Sequence, residues 1–117
     1  MSHKILVVDD EADIRTYMRA LLEKHGFEVV TASDGIEGLE VAQRESPDLV
    51  CLDLQMPNQT GTGFYRKLTR DKDLGNTPVI VVSGLAGREL AVTKPVAVFD
   101  KPIDPHALIA AIESALG

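Results

Sequence analysis

Ile5-Leu6-Val7-Val8-Asp9-Asp10 sets four consecutive apolar residues directly against two carboxylates. A strand buried on one face alternates apolar and polar side chains, so an unbroken apolar quartet fits a strand covered on both faces. The same form returns in Leu49-Val50-Cys51-Leu52, in Val79-Ile80-Val81-Val82 and in Val96-Ala97-Val98-Phe99. Phe27-Glu28-Val29-Val30 carries a charge and fits a sheet edge.

Helical patterns occupy the intervals. Ile14, Met18, Leu21 and Leu22 recur at helical spacing, with Gly26 as a stop. Asp34-Gly35-Ile36-Glu37 has the form of a capping box, in which Asp34 accepts from early amides and Glu37 reaches back. That helix is expected to bury Ile36 and Leu39 and to end before Pro47. A third helix is expected from about Thr62 to Arg70, carrying Phe64 and Leu68. The last opens with Asp104 as cap and Pro105 at the first helical position, and places Leu108, Ile109, Ile112 and Leu116 on one face. The 11 residues between Ser83 and Pro95 hold Gly84, Gly87 and the β-branched pair Val92-Thr93, so the fourth helical segment is expected to be truncated or irregular. Strands alternating with helical segments give an α/β domain with a parallel sheet covered on both sides.

Composition narrows the function classes. The chain has 117 residues, one domain's worth, with 44% hydrophobic and 26% charged residues, an ordinary globular balance. Twelve Lys and Arg against 18 Asp and Glu give a formal charge of −6, which speaks against direct nucleic-acid binding. No apolar run approaches the roughly 20 residues that span a bilayer, so no membrane partner is expected. The N-terminus enters an apolar strand directly and shows no secretory signal. Cys51 is the single cysteine, so no intrachain disulfide can form, and a cytoplasmic location is expected.

The polar residues that follow the apolar quartets carry the chemistry. Asp9 and Asp10 follow the first, Asp53 the third, Ser83 the fourth, and Asp100-Lys101 the fifth strand. In an open α/β sheet ligands bind beyond the carboxyl ends of the strands, so these groups are expected on one rim. Two unit charges about 5 Å apart repel by roughly 3 kcal/mol at an effective dielectric of about 20, and three clustered carboxylates cost on the order of 10 kcal/mol. A bound cation relieves that cost. Oxygen ligands without nearby His or Cys suit a hard ion such as Mg2+ better than zinc, and Lys101 adds positive charge for an incoming phosphoryl group.

Val8-Asp9-Asp10-Glu11, Asp53-Leu54-Gln55-Met56-Pro57 with Gly61, Val82-Ser83-Gly84 and Lys101-Pro102 together resemble the receiver domains of bacterial two-component response regulators, across essentially the whole chain. The resemblance implies a single receiver domain over residues 1–117. Its fold would be a flavodoxin-like, doubly wound, five-stranded parallel sheet of strand order 2-1-3-4-5. It implies that Asp53 accepts a phosphoryl group from a sensor histidine kinase or a histidine phosphotransfer protein. Asp9, Asp10, Asp53 and the backbone carbonyl of Gln55 would hold Mg2+. Lys101, preceding a cis bond to Pro102, would pair with a phosphoryl oxygen. Ser83 and the backbone amides of Gln55 and Gly84 would complete the cradle, and the side chains of Gln55 and Leu85 would influence access of hydrolytic water.

Two departures from the family pattern stand out. Ser83 and Lys101 are 18 positions apart, about four fewer than usual in the family and close to one helical turn. The position three before the lysine, usually the aromatic switch residue, is Val98, while Phe99 follows it and is expected on the opposite face of the strand. A thinly covered fifth strand would also make the face of fourth helix, fifth strand and fifth helix a candidate homodimer surface, or a site for an output partner that the sequence does not identify.

Other polar residues read as structural. His3, His25 and His106 lack metal-ligand spacing, and Cys51 reads as a core thiol. Two alternatives stand beside the switch: a phosphorylation-independent interaction module of the same fold, and a Mg2+-dependent phosphatase with an Asp nucleophile. The second places its nucleophile after the first strand with another acid two positions on, whereas the run here is Asp9-Asp10-Glu11. A signalling domain that catalyses only its own phosphorylation and dephosphorylation, rather than an enzyme, is the expected class.

Overall fold

A computed structural model describes residues 2–54, 60–82, 97–99 and 103–117. The strands are β1 (Lys4–Val8), β2 (Glu28–Ala32), β3 (Leu49–Leu52), β4 (Val79–Val82) and β5 (Ala97–Phe99). Among the described residues there are four helices: α1 (Ala12–Lys24), α2 (Gly35–Glu45), α3 (Thr60–Arg70) and α4 (Pro105–Leu116). The expected irregular segment between Ser83 and Pro95 lies outside the described residues. No described helix is long and apolar enough to cross a membrane.

All strand pairs are parallel, in the order β2-β1-β3-β4-β5. The doubly wound, flavodoxin-like arrangement expected from the sequence is therefore the observed one. The unbroken apolar strands β1, β3 and β4 serve two cores at once, whereas β5, expected from its apolar run to be covered on both faces, is an edge strand that leaves Val98 exposed. Leu6, Val8, Val50, Leu52, Val79 and Val81 face α2 and α3, where Val41, Ala42, Phe64 and Leu68 pack. Ile5, Val7, Leu49, Cys51, Ile80 and Val82 face α1 and α4, where Met18, Leu22, Leu108, Ile109 and Ile112 pack. Each such side chain taken fully out of water contributes roughly 1.5–3 kcal/mol of burial.

Local signals place the helices. Gly26 lies in the left-handed region (φ 88°). There its N–H donates to the Glu23 carbonyl at 3.0 Å and the Phe27 N–H donates to that of Leu22 at 3.1 Å, a full Schellman stop for α1. At α2, Asp34 Oδ1 accepts from the Glu37 N–H at 2.8 Å, as expected of the cap. The Glu37 carboxylate reaches not to Asp34 but to the N–H and hydroxyl of Ser33. Asp104 caps α4 by accepting from the amides of His106 and Ala107.

The structure corrects several sequence expectations. Ile36 is 67% exposed, because the buried stripe of α2 runs through Gly35, Gly38, Val41 and Ala42 and leaves Ile36 well round the helix from it. α3 begins at Thr60 rather than Thr62, and β2 is shifted to Glu28–Ala32, leaving Phe27 in the turn after α1. β2 is an edge strand, as its charge suggests.

Gly38 shows how closely α2 sits on the sheet. A Cβ there would lie 3.2 Å from two ring carbons of Phe64 and from Val8 Cγ2. The branched methyls of Gly38→Val would have to displace these neighbours, so the variant is expected to lose about 1–3 kcal/mol of stability, read as a lower midpoint in chemical denaturation.

At the opposite end of the sheet, Lys4 Nζ lies 2.9 Å from Glu45 and 3.2 Å from Glu28. Its hydrogen bond to Glu45 raises the Lys4 pKa, and the same bond, with help from Arg44, lowers that of Glu45. Acceptance from the Asp73 amide lowers that of Asp71. A raised lysine contributes stability below its unfolded pKa and loses it as pH rises through the folded value. A lowered carboxylate contributes above its unfolded pKa and loses it as pH falls through the folded value. Thermal unfolding is therefore expected to show a broad neutral plateau, falling at acid pH as Glu45 and Asp71 protonate. Lys4→Met should soften the acid limb by removing the stronger of the two partners of Glu45 and leaving it Arg44 alone.

Candidate metal centre at the carboxyl ends of the strands

The sheet ladder continues one residue past β1 and β3. The Asp9 N–H donates to the Ala32 carbonyl at 3.1 Å, and the Asp53 N–H donates to the Val8 carbonyl at 2.9 Å. Two acidic residues are thus pinned by main-chain bonds at adjacent strand ends. Their residues are 2% and 1% exposed, whereas Asp10 is exposed. One carboxylate oxygen from each of Asp9, Asp10 and Asp53 lies within 4.8 Å of the others. Asp9 Oδ1 accepts from the Glu11 N–H at 2.9 Å, which ties this acid to the entry of α1.

The donor set of this cluster is oxygen alone, two of the three groups buried and all bearing the same charge. Charges held this close are stabilised by a hard divalent cation, and an all-carboxylate set fits Mg2+ better than a metal that prefers nitrogen or sulfur. Beneath the acids is a void of about 10 Å³, bounded by Asp9, Asp53, Ile14, Met18, Cys51 and Ile103. It has room for about one water-sized sphere, so a reacting group meets the acids from the rim rather than from within. Burial pushes the Cys51 thiol up to about 12, which leaves it unreactive.

The adjacent pair Asp9 and Asp10 and the distant Asp53 are therefore brought together. Gln55, Ser83, Gly84 and Lys101, with the Lys101-Pro102 bond and Leu85, lie outside the described residues. Val98 pairs with Val81 in the sheet register and is 36% exposed. Phe99 packs on the core of α1 and α4, so the two side chains take opposite faces as expected. The sequence pattern does not single out the Glu11 amide or Arg15, whose Nη1 donates to the Asp9 carbonyl at 2.7 Å. A cation in the first turns of a helix reads simply as helix surface.

Comparison with known proteins agrees with this architecture. Residues 5–113 match the family model for the response regulator receiver domain. Protein Rrf1 of Nitratidesulfovibrio vulgaris is 38% identical over 99% of this chain and 84% of its own length. The probable transcriptional regulator ycf27 of Cyanophora paradoxa is 41% identical over 97% of this chain, which spans only 48% of that protein. Among solved structures, the chemotaxis protein CheY4 of Vibrio cholerae superposes with a TM-score of 0.89 at 29% identity, over 99% of this chain and all of that one. The chain belongs to the response regulator receiver domain family, the signalling domains of two-component systems.

Proposed function

We propose that the chain is a phosphorylation-dependent switch in which Asp53 is the phosphoacceptor. The observation that carries this reading is the buried Asp53 carboxylate held within 4.8 Å of those of Asp9 and Asp10. The donor is the phosphohistidine of a sensor histidine kinase or of a histidine phosphotransfer protein. An Asp53 oxygen attacks phosphorus in line, the phosphorus–nitrogen bond breaks, and the imidazole leaves with the bonding pair. The product is an acyl phosphate on Asp53. Such transfers depend on positioning and on neutralising the phosphoryl oxygens.

Asp9, Asp10, Asp53 and the Gln55 carbonyl would hold Mg2+. When bound, the ion supplies positive charge opposite the phosphoryl oxygens. Lys101 pairs with one of those oxygens, Ser83 donates to another, and the amides of Gln55 and Gly84 complete the cradle. These assignments to residues outside the described set rest on family membership and motif position. Residues 1–117 then act as a single receiver domain in the cytoplasm, reporting phosphorylation to an output partner. The homodimer surface proposed for this domain includes the exposed side of β5.

A phosphorylation-independent interaction module is a second reading, favoured by Val98 at the switch position. Incubation with acetyl phosphate and Mg2+, followed by intact mass, separates the two. The switch gains one phosphoryl group, and none with a chelator present. An unchanged mass with Mg2+ leaves the second reading.

A further inference from the structure

Between the end of β1 at Val8 and the start of α1 at Ala12, the chain makes the turn that carries Asp9 and Asp10. Three hydrogen bonds are among those that hold it. The Asp9 N–H goes to Ala32 of β2 at 3.1 Å, the Glu11 N–H to Asp9 Oδ1 at 2.9 Å, and the Arg15 guanidinium to the Asp9 carbonyl at 2.7 Å. The first belongs to the sheet and the second to the Asp9 carboxylate itself. The third ties the peptide joining Asp9 to Asp10 to the body of α1, through a side chain rooted where Arg15 N–H donates to the Glu11 carbonyl.

We propose that Arg15 is a positioning residue for the metal-binding acids. By gripping the Asp9 carbonyl it fixes the orientation of the Asp9–Asp10 peptide. The exposed Asp10 carboxylate is thereby presented toward the buried pair Asp9 and Asp53 before any ion binds. A charged donor at 2.7 Å makes a strong hydrogen bond, and a pre-set peptide spares the ordering cost that a free turn would incur on binding. The inference rests on the reading of Asp9, Asp10 and Asp53 as an Mg2+ site.

The test compares wild type with Arg15→Met, which keeps the apolar stem and loses the donor, and with Arg15→Lys, which restores one charged donor. Two readouts are taken: amide hydrogen exchange of Asp10 and Glu11 without metal, and the Mg2+ dissociation constant from NMR titration. Arg15→Met should speed exchange at Asp10 and Glu11 while β1 amides such as Leu6 and Val8 keep wild-type protection. It should also weaken Mg2+ binding by about 10-fold, the scale of a lost outer partner of a metal ligand. Arg15→Lys should recover most of both. A merely structural role would slow or speed the β1 amides together with the turn. Unchanged Mg2+ affinity in Arg15→Met overturns the proposal, whether or not exchange responds. Failure of wild type to bind Mg2+ overturns the metal reading itself, and the metal-free exchange arm still reports separately whether Arg15 holds the turn.

Discussion

Asp53→Asn is expected to take up no phosphoryl group from acetyl phosphate under conditions where wild type gains one, while remaining folded. The amide matches the carboxylate in shape, but its neutral oxygen is a far weaker nucleophile, so the loss should be complete within detection. The main-chain bond that places this residue, from its N–H to the Val8 carbonyl, is untouched by the change. Removing one of three like charges within 4.8 Å relieves repulsion, on the order of 3 kcal/mol per pair before screening. Without Mg2+ the variant should therefore unfold at a temperature no lower than wild type. Intact mass and thermal unfolding read the two halves of the prediction, and uptake of a phosphoryl group by the variant would place the acceptor elsewhere.

Phe64→Ala is expected to cost about 3–5 kcal/mol, the usual scale for emptying a buried aromatic site. Phe64 is 2% exposed and fills the junction of α3 with α2 and the sheet, its ring against Gly38. The glycine offers no side chain to swing into the space, and neighbouring Val8 is fixed in the sheet. Domains of this size hold only about 5–15 kcal/mol in total, so the variant should stand near the edge of folding. Urea denaturation should show a much lower midpoint with a similar slope.

Much of the fold could be read from the sequence because both of its signals are local. Four-residue apolar runs without alternation required cover on both faces, and the two cores supply it through β1, β3 and β4. Caps at Asp34 and Asp104 and the stop at Gly26 fall where their side-chain chemistry places them. Ile36 reads wrongly because a helix's apolar residues do not announce which stripe meets the sheet. Here three-dimensional closeness selected Gly38, a residue with no hydrophobicity to notice. Glu37 likewise found a nearer donor in Ser33.

The acidic cluster was legible for a different reason. Parallel topology brings every strand's carboxyl end to one rim, so Asp9, Asp10 and Asp53 meet although Asp53 lies 43 positions after Asp10. The hydrogen bonds that orient the cluster were not legible. Glu11 contributes through its main chain, which has no sequence signature. Arg15 reaches back six positions to a carbonyl, a contact that depends on the angle between β1 and α1.

If Asp9, Asp10 and Asp53 form one Mg2+ site, thermal unfolding across an Mg2+ titration, wild type beside Asp10→Asn, will show it. Asp10 is exposed, so its replacement leaves both cores intact. The wild-type unfolding temperature should climb with Mg2+ concentration once that exceeds the dissociation constant, and the variant's should stay nearly level. A wild-type transition that stands at the same temperature at every Mg2+ concentration, or an equal climb in Asp10→Asn, would mean that these three carboxylates do not hold the ion together.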